Sequence, residues 1–163
     1  VLDNVYIDTT VQEKNVTNHT DSKLYRKVIA QSRHIARRKG IGLRQSYVRK
    51  EKALMLKMHF YRHPKRKKEA MSATRKLHNI AGRLSREVQR NLEAKGSTAY
   101  ADFFVTAQAI LSQTRHSNHK IYSLHEPHVK CIAKGKEHKA YEFGNKSSIL
   151  LSRQGIIVGS NGL

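Results

Sequence analysis

The hydrophobic period of the chain changes twice along its length. Residues 4–11 alternate with a period of two, with Val5, Ile7, Thr9 and Val11 on one face and Tyr6, Asp8 and Thr10 on the other. Their β-branched and aromatic character predicts a strand. From about residue 21 the apolar positions recur at helical spacing instead. Leu24, Val28 and Ile35 form a stripe with Tyr25, Ile29 and Ala36 beside it. Thr20 or Asp21, and then Gly40, supply start and stop signals for a helix over about 21–40. A second helix is expected over about 45–61, with either Val48, Met55 and Met58 or Leu54, Met58 and Tyr61 as its stripe. His63-Pro64 ends it, because proline cannot donate to the ladder and restricts the residue before it. The third helix, about 65–95, is the most regular. Ala70, Ala73, Leu77, Ile80, Leu84, Val88 and Leu92 recur at steps of three and four, and Gly96 stands where a C-terminal cap belongs. A fourth, about 98–114, carries Tyr100, Phe103, Phe104, Ala107, Ile110 and Leu111. These stripes read as the seams of a helical bundle.

After a polar break at 115–120 the strand pattern returns. Ile121 to Leu124 is a short run ending at a His125-Glu126-Pro127 turn, Val129 to Ala133 is another, and Tyr141 to Leu151 and Gly155 to Gly159 follow. Residues 148–151 and 156–158, joined by Ser152-Arg153-Gln154-Gly155, predict a β-hairpin with Gly155 supplying the turn. The expected class is α+β in three regions: a first strand within 1–19, a helical insertion over 20–118, and the remaining strands over 119–163. There is no internal repeat and no long low-complexity run.

Charge changes this picture from architecture toward function. The formal net charge is +20, and residues 23–95 hold 23 Lys or Arg against Glu51, Glu69, Glu87 and Glu93, so the helical stretch carries nearly all of it. A polyanion is the natural partner of such a field, because each phosphate neutralised by Lys or Arg releases condensed counterions. The candidate contacts in this stretch are Arg37, Arg38, Lys39, Lys65, Arg66, Lys67, Lys68, Arg75, Arg83, Arg86 and Arg90. The run Lys65 to Lys68 falls at a helix start, where the helix's own partial positive charge repels it and an anion would offset the repulsion. A membrane surface is the next candidate for a basic stretch, but no segment approaches the roughly 20 apolar residues of a span. No signal-peptide layout is present in the first 30 residues. Cys131 is the only cysteine, so the sequence reads as that of a reducing compartment, and the cytoplasm is expected. With 38 % hydrophobic residues in 163, the chain is expected to fold around one core. It begins at Val1 and ends just after a strand-like segment, which reads as a piece of something longer.

A carboxylate in the middle of the first strand has two readings. Asp8 either sits on a solvated edge or presents an acid from a sheet to a divalent metal. His125, Glu126 and His128 form a compact cluster that raises zinc, but they lack the two-His helical spacing of zinc hydrolases. A surface turn or a DNA-facing loop is preferred.

Three stretches together are recognisable: residues 8–15 (DTTVQEKN), residues 21–25 (DSKLY) and residues 121–146 (IYSLHEPHVKCIAKGKEHKAYEFGNK). With the long middle helix from His63-Pro64-Lys65 to Asn91-Leu92, they resemble the catalytic region of bacterial insertion-sequence DDE transposases of the IS-five-like group, over nearly the whole chain. The resemblance implies an RNase H-like mixed sheet, here partial and interrupted by the large basic helical insertion. In that family acids on the sheet hold two Mg²⁺ or Mn²⁺ ions, about 3.5 to 4 Å apart, for in-line attack on a phosphodiester. Asp8 matches the first acid of the triad and so becomes the candidate catalytic and metal-binding residue. By the same resemblance Lys134, Lys136, Lys139 and Lys146 approach DNA phosphates. The implied partner is double-stranded DNA at transposon ends, with a homodimer or a partner transposase chain left open.

The departure from the family is equally specific. There the second acid follows the hairpin in an Asp-Gly-His type motif and the glutamate comes much later, whereas this chain stops at Gly159-Ser160-Asn161-Gly162-Leu163. Glu137 and Glu142 have no metal role in the family pattern. One carboxylate does not hold two hard divalent ions, so no stably bound metal is expected here, and the sheet is expected to leave an apolar face and open edges uncovered. The purified chain is therefore expected not to join transposon ends with Mg²⁺. Detecting such joining, abolished by Asp8→Ala, would overturn that expectation.

Overall fold

The helical period of residues 21–112 is realised as four α-helices, and the apolar stripes of the first, third and fourth become buried seams. The computed structural model describes residues 5–14, 21–114, 116–135, 140–154 and 156–162. It divides into two compact units, residues 19–120 and residues 1–18 with 121–163.

In the helical unit, α1 spans Asp21–Arg38, α2 spans Val48–Met58, and α4 spans Ala101–Ser112. The longest, α3, spans Lys67–Glu93 and follows a 3₁₀ turn at Pro64–Arg66. Proline's missing N–H and fixed φ suit it to that first position. Ala70, Ala73, Leu77, Leu84, Val88 and Leu92 of α3 are each no more than 2 % exposed, as are Leu24, Val28, Ile29 and Ile35 of α1. The helices run up, down, up, down. Tyr25 meets His78 near one end of α1, with ring centroids 5.0 Å apart, and Ile35 and Ala36 join Val88 and Leu92 at the other, so α1 and α3 are parallel. α2 returns antiparallel, with Lys57 pairing to Glu69 at one end and Arg44, just before α2, meeting Glu87 at the other. α4 returns likewise, placing Phe104 against Val88 and Leu92 and the Leu111 carbonyl on His78 Nε2 at 2.8 Å.

Glycine ends both long helices by the same device. Gly40 takes φ +60° and Gly96 φ +66°, values that a Cβ disfavours. The following amides reach back five residues, Ile41 N–H to the Ala36 carbonyl at 2.8 Å and Ser97 N–H to the Leu92 carbonyl at 2.9 Å. These are Schellman closures, and Ile41 folds into the core beside Ala36 as that motif favours. Thr20, one of the two expected start caps, lies outside the described residues.

Helix α2 departs from expectation. It is shorter than 45–61, and of its proposed stripes only Leu54 is buried, while Val48 and Tyr61 are more than half exposed. Its second buried residue is Glu51, which apolar periodicity could not reveal.

The second unit is an antiparallel sheet of β1 (Val5–Glu13), β2 (Lys130–Ala133), β3 (Tyr141–Ser152) and β4 (Ile157–Gly162). The long strand β3 is shared: β1 lies along one side, and β2 and β4 lie end to end along the other. Every described pairing is antiparallel, where the sequence reading expected a mixed sheet. The β3–β4 hairpin forms, closed by Ser152 N–H to the Ile156 carbonyl at 2.8 Å, though Gly155 itself lies outside the described residues. Residues 121–124 are not a strand. The Ser123 hydroxyl accepts the Glu126 N–H at 3.3 Å, a local turn bond that competes with a ladder. Gly144 is required where β1 and β3 approach, since a Cβ there would overlap the Gln12 carbonyl. The first half of β1 is open on both faces, with Tyr6 and Ile7 exposed, and Leu150 opposite Ile7 is exposed as well.

Leu84, fully buried in the seam of α3, gives the direct test of this bundle. Leu84→Ala is expected to cost about 2–5 kcal/mol, read by denaturant unfolding followed at helical wavelengths. A loss below about 1 kcal/mol would mean that α3 is not the central helix.

Candidate nucleic-acid interface

An α-helix turns about 100° per residue, so a periodic apolar stripe forces the other residue types to the opposite side. On α3 that arithmetic places Lys68, Arg75, Arg83, Arg86 and Arg90 within an arc of about 80°, centred opposite Ala73, Leu77, Leu84 and Val88. All five cations are exposed. At 1.5 Å per residue the row from Lys68 to Arg90 runs about 33 Å along one face. Lys65, Arg66 and Lys67 extend it at the start of the helix and are exposed too. The structure therefore puts the Lys65 to Lys68 run and Arg90 at opposite ends of α3.

The four glutamates of residues 23–95 each have a partner outside the arginine row. Glu51 accepts Arg33 Nη2 at 2.7 Å and Arg26 Nε at 3.2 Å, joining α1 to α2. Glu69 pairs with Lys57 at 2.9 Å. That hydrogen bond and charge hold the Glu69 carboxyl below its usual value, with a smaller pull from Arg66, which itself sits 4.4 Å over the Phe60 ring. Glu93 accepts the Gln89 amide at 2.9 Å. Glu87 Oε1 accepts the backbone N–H of Arg44 at 2.7 Å, pinning the loop before α2 onto α3. Among the described residues no carboxylate forms an ion pair with Arg75, Arg83, Arg86 or Arg90.

The pinned loop builds a strongly charged cleft. Arg44, Gln45 and Tyr47 from the loop face Arg83, Arg86, Glu87 and Arg90 of α3 around a volume of 660 Å³. Arg44 was missed in the sequence, because nothing in a linear reading links residue 44 to residues 83–90. Arg37, Arg38 and Lys39 are exposed at the C-terminal end of α1, where they complement the helix dipole; Lys39 also lies 5.8 Å from the Tyr100 ring centroid.

The remaining candidates lie in the sheet unit. Lys134 is paired with the buried Glu142 at 3.5 Å, which gives both side chains a structural partner. Lys146 is exposed on β3 opposite Val11. Lys136, Glu137 and Lys139 lie outside the described residues. Asp8 is exposed on β1, and its row across the sheet continues to Ile149 and then Ser160. That donor set is one carboxylate beside an alkyl side chain and a hydroxyl. It does not fit two hard cations that take six or more oxygen ligands each. Among the described residues no three His, Cys, Asp or Glu side chains converge on a metal-holding arrangement. Glu126 pairs with Lys14 at 3.1 Å instead of joining His125 and His128 in a zinc site. Burial pushes the Cys131 thiol up, against a smaller opposing hydrogen bond to Tyr122, which leaves it protonated at neutral pH.

The uncharacterized protein ORF8 in the nfe locus of Rhizobium meliloti is similar to this chain, 42 % identical over 62 residues. That stretch is 38 % of this chain and 30 % of the relative, so the chain spans under a third of the relative's length. No protein-family model and no solved structure matches the sequence. No helix among the described residues is long and apolar enough to cross a membrane.

The Glu51 bridge ties α2 to α1. Glu51→Ala leaves Arg33, mostly buried, without its counterion, whereas the half-exposed Arg26 loses little to water. The expected cost is about 1–3 kcal/mol in denaturant unfolding. A loss no larger than that of Arg26→Ala would contradict the bridge.

Proposed function

We propose that the helical unit grips duplex DNA along the cationic face of α3. The observation that carries this reading is the one-sided row from Lys68 to Arg90, exposed and without pairing carboxylates, on a helix whose other side is fully committed to the core. Its length, about 33 Å, is close to one turn of B-DNA at about 34–36 Å. Such contacts fix a protein on the duplex through phosphates and carry no base code of their own.

Taken with the resemblance, the proposed role of the chain is in DNA transposition and recombination, as part of a DDE transposase. Asp8 would be one acid of a divalent-metal site whose other acids this chain does not contain. A second reading, a DNA-binding module without chemistry of its own, is supported by the alkyl and hydroxyl neighbours of Asp8 across the sheet. Asp8→Asn separates the two in any longer protein that shows metal-dependent cleavage. The grip predicts unchanged DNA affinity, and the transposase reading predicts loss of cleavage.

Phosphate contact makes a quantitative prediction. The logarithm of the binding constant should fall linearly with the logarithm of salt concentration, by about 0.9 per phosphate contacted. Changing Lys65, Arg66, Lys67 and Lys68 together to Gln should flatten the slope by about one to three units, read by fluorescence anisotropy of a labelled duplex. A slope unchanged both in this variant and in Arg75→Gln/Arg83→Gln would move the contact off α3.

A further inference from the structure

The cleft at the C-terminal end of the α3 row has more order than a grip on diffuse charge requires. Four guanidiniums, those of Arg44, Arg83, Arg86 and Arg90, line one 660 Å³ space with a single carboxylate, Glu87. Like charges at this density repel one another, and three local features hold them together. Glu87 Oε1 takes the Arg44 backbone N–H at 2.7 Å, which brings the loop's arginine to the helix. Arg90 Nε donates to the Arg86 carbonyl at 3.3 Å, which turns its side chain back along α3. Gly82 has no side chain in the path of Arg86: a Cβ there would stand 3.1 Å from Arg86 Nη1. A glycine inside a helix costs about 1 kcal/mol relative to alanine, and here it leaves room for a guanidinium to lie against the helix. Tyr47, also lining the cleft, holds φ +57°, a left-handed value that a tyrosine rarely adopts.

We infer that this cleft is a clamp for two adjacent phosphate groups, a deepening of the DNA-binding reading and dependent on it for the source of those phosphates. Each guanidinium is a planar fork matched to two oxygens of a phosphate. Four forks offer more donors than the two exposed oxygens of a single phosphodiester can accept, so neighbouring phosphates satisfy them. Glu87 opposes an anion, but one of its oxygens is already occupied by the loop amide. The shared ligand chemistry is a pair of neighbouring phosphate groups, supplied either by consecutive residues of a nucleic-acid backbone, where a sugar separates them, or by a free diphosphate group, where one oxygen joins them.

The test uses the whole chain, with inorganic pyrophosphate as probe, calorimetry for direct binding, and displacement of a labelled DNA duplex as second readout. Pyrophosphate should bind at least tenfold more tightly than orthophosphate. Arg86→Gln/Arg90→Gln should weaken it about tenfold or more, while Arg62→Gln, an exposed cation outside the cleft, should leave it within twofold. Arg86→Lys keeps the charge but loses the fork and should still lose about fivefold. All of these side chains are exposed, and circular dichroism melting confirms that each variant folds. Equal binding by the Arg86/Arg90 and Arg62 variants, or full retention by Arg86→Lys, overturns the clamp while leaving the DNA reading to stand on its salt dependence. Displacement of the duplex by pyrophosphate supports the clamp with backbone phosphates as its source. Pyrophosphate binding that depends on Arg86 and Arg90, in a chain with no affinity for duplex, supports the clamp with a free diphosphate as its source and refutes the DNA reading.

Discussion

The helical unit depends on how completely α3 is divided between core and solvent. It packs against each of the other three, and every turn of its apolar side is covered by Leu, Val, Ile or Ala. Because those positions are fixed by packing, the arginines that separate them in the sequence have one direction left to point. A surface of aligned cations follows from the core without any further device. The cost of such a surface is self-repulsion, and a bound polyanion relieves it.

What the acids do confirms that division of labour. The stretch 23–95 has four carboxylates, and three of them hold helices or loops together: Glu51 with Arg26 and Arg33, Glu69 with Lys57, and Glu87 with the Arg44 amide; Glu93 accepts from Gln89 within α3 itself. The contacts of Glu51 and Glu69 lie away from the α3 row, Glu87 lines the cleft beside it, and Glu93 is on the same face about one turn beyond Arg90. Were Glu87 to leave the Arg44 amide for one of the arginines that line the cleft with it, the surface would be partly neutralised and the loop bearing Arg44 released. The same side chains thus fix the fold and leave the cations free.

Much of the bundle was legible in the sequence because a helix repeats its burial every three or four residues. The stripes of α1, α3 and α4 and the glycine stops at Gly40 and Gly96 could be read directly. Glu51 could not, since a charged residue in a seam looks like a solvent position until its two arginine partners are seen. Arg44 was hidden for a similar reason: it joins Arg83, Arg86 and Arg90 only through a loop fold set by a side chain 43 residues away. The sheet was harder still. Alternation identified β1, β3 and β4, but it could not say that β3 would be shared from end to end, nor that Tyr6 and Ile7 would both stand exposed. Short strands with turn-forming serines, such as residues 121–124, carry competing local bonds that periodicity does not register.

The central claim is that the α3 face and the loop beside it are where nucleic acid is held. Hydrogen–deuterium exchange of the whole chain, free and saturated with a short DNA duplex at low salt, measures this directly. Bound DNA should slow exchange in the 41–47 loop and at the ends of α3, near residues 64–70 and 90–97, with little change in β3 and β4. Protection confined to the sheet, or no protection anywhere in 21–112 at saturation, would contradict it.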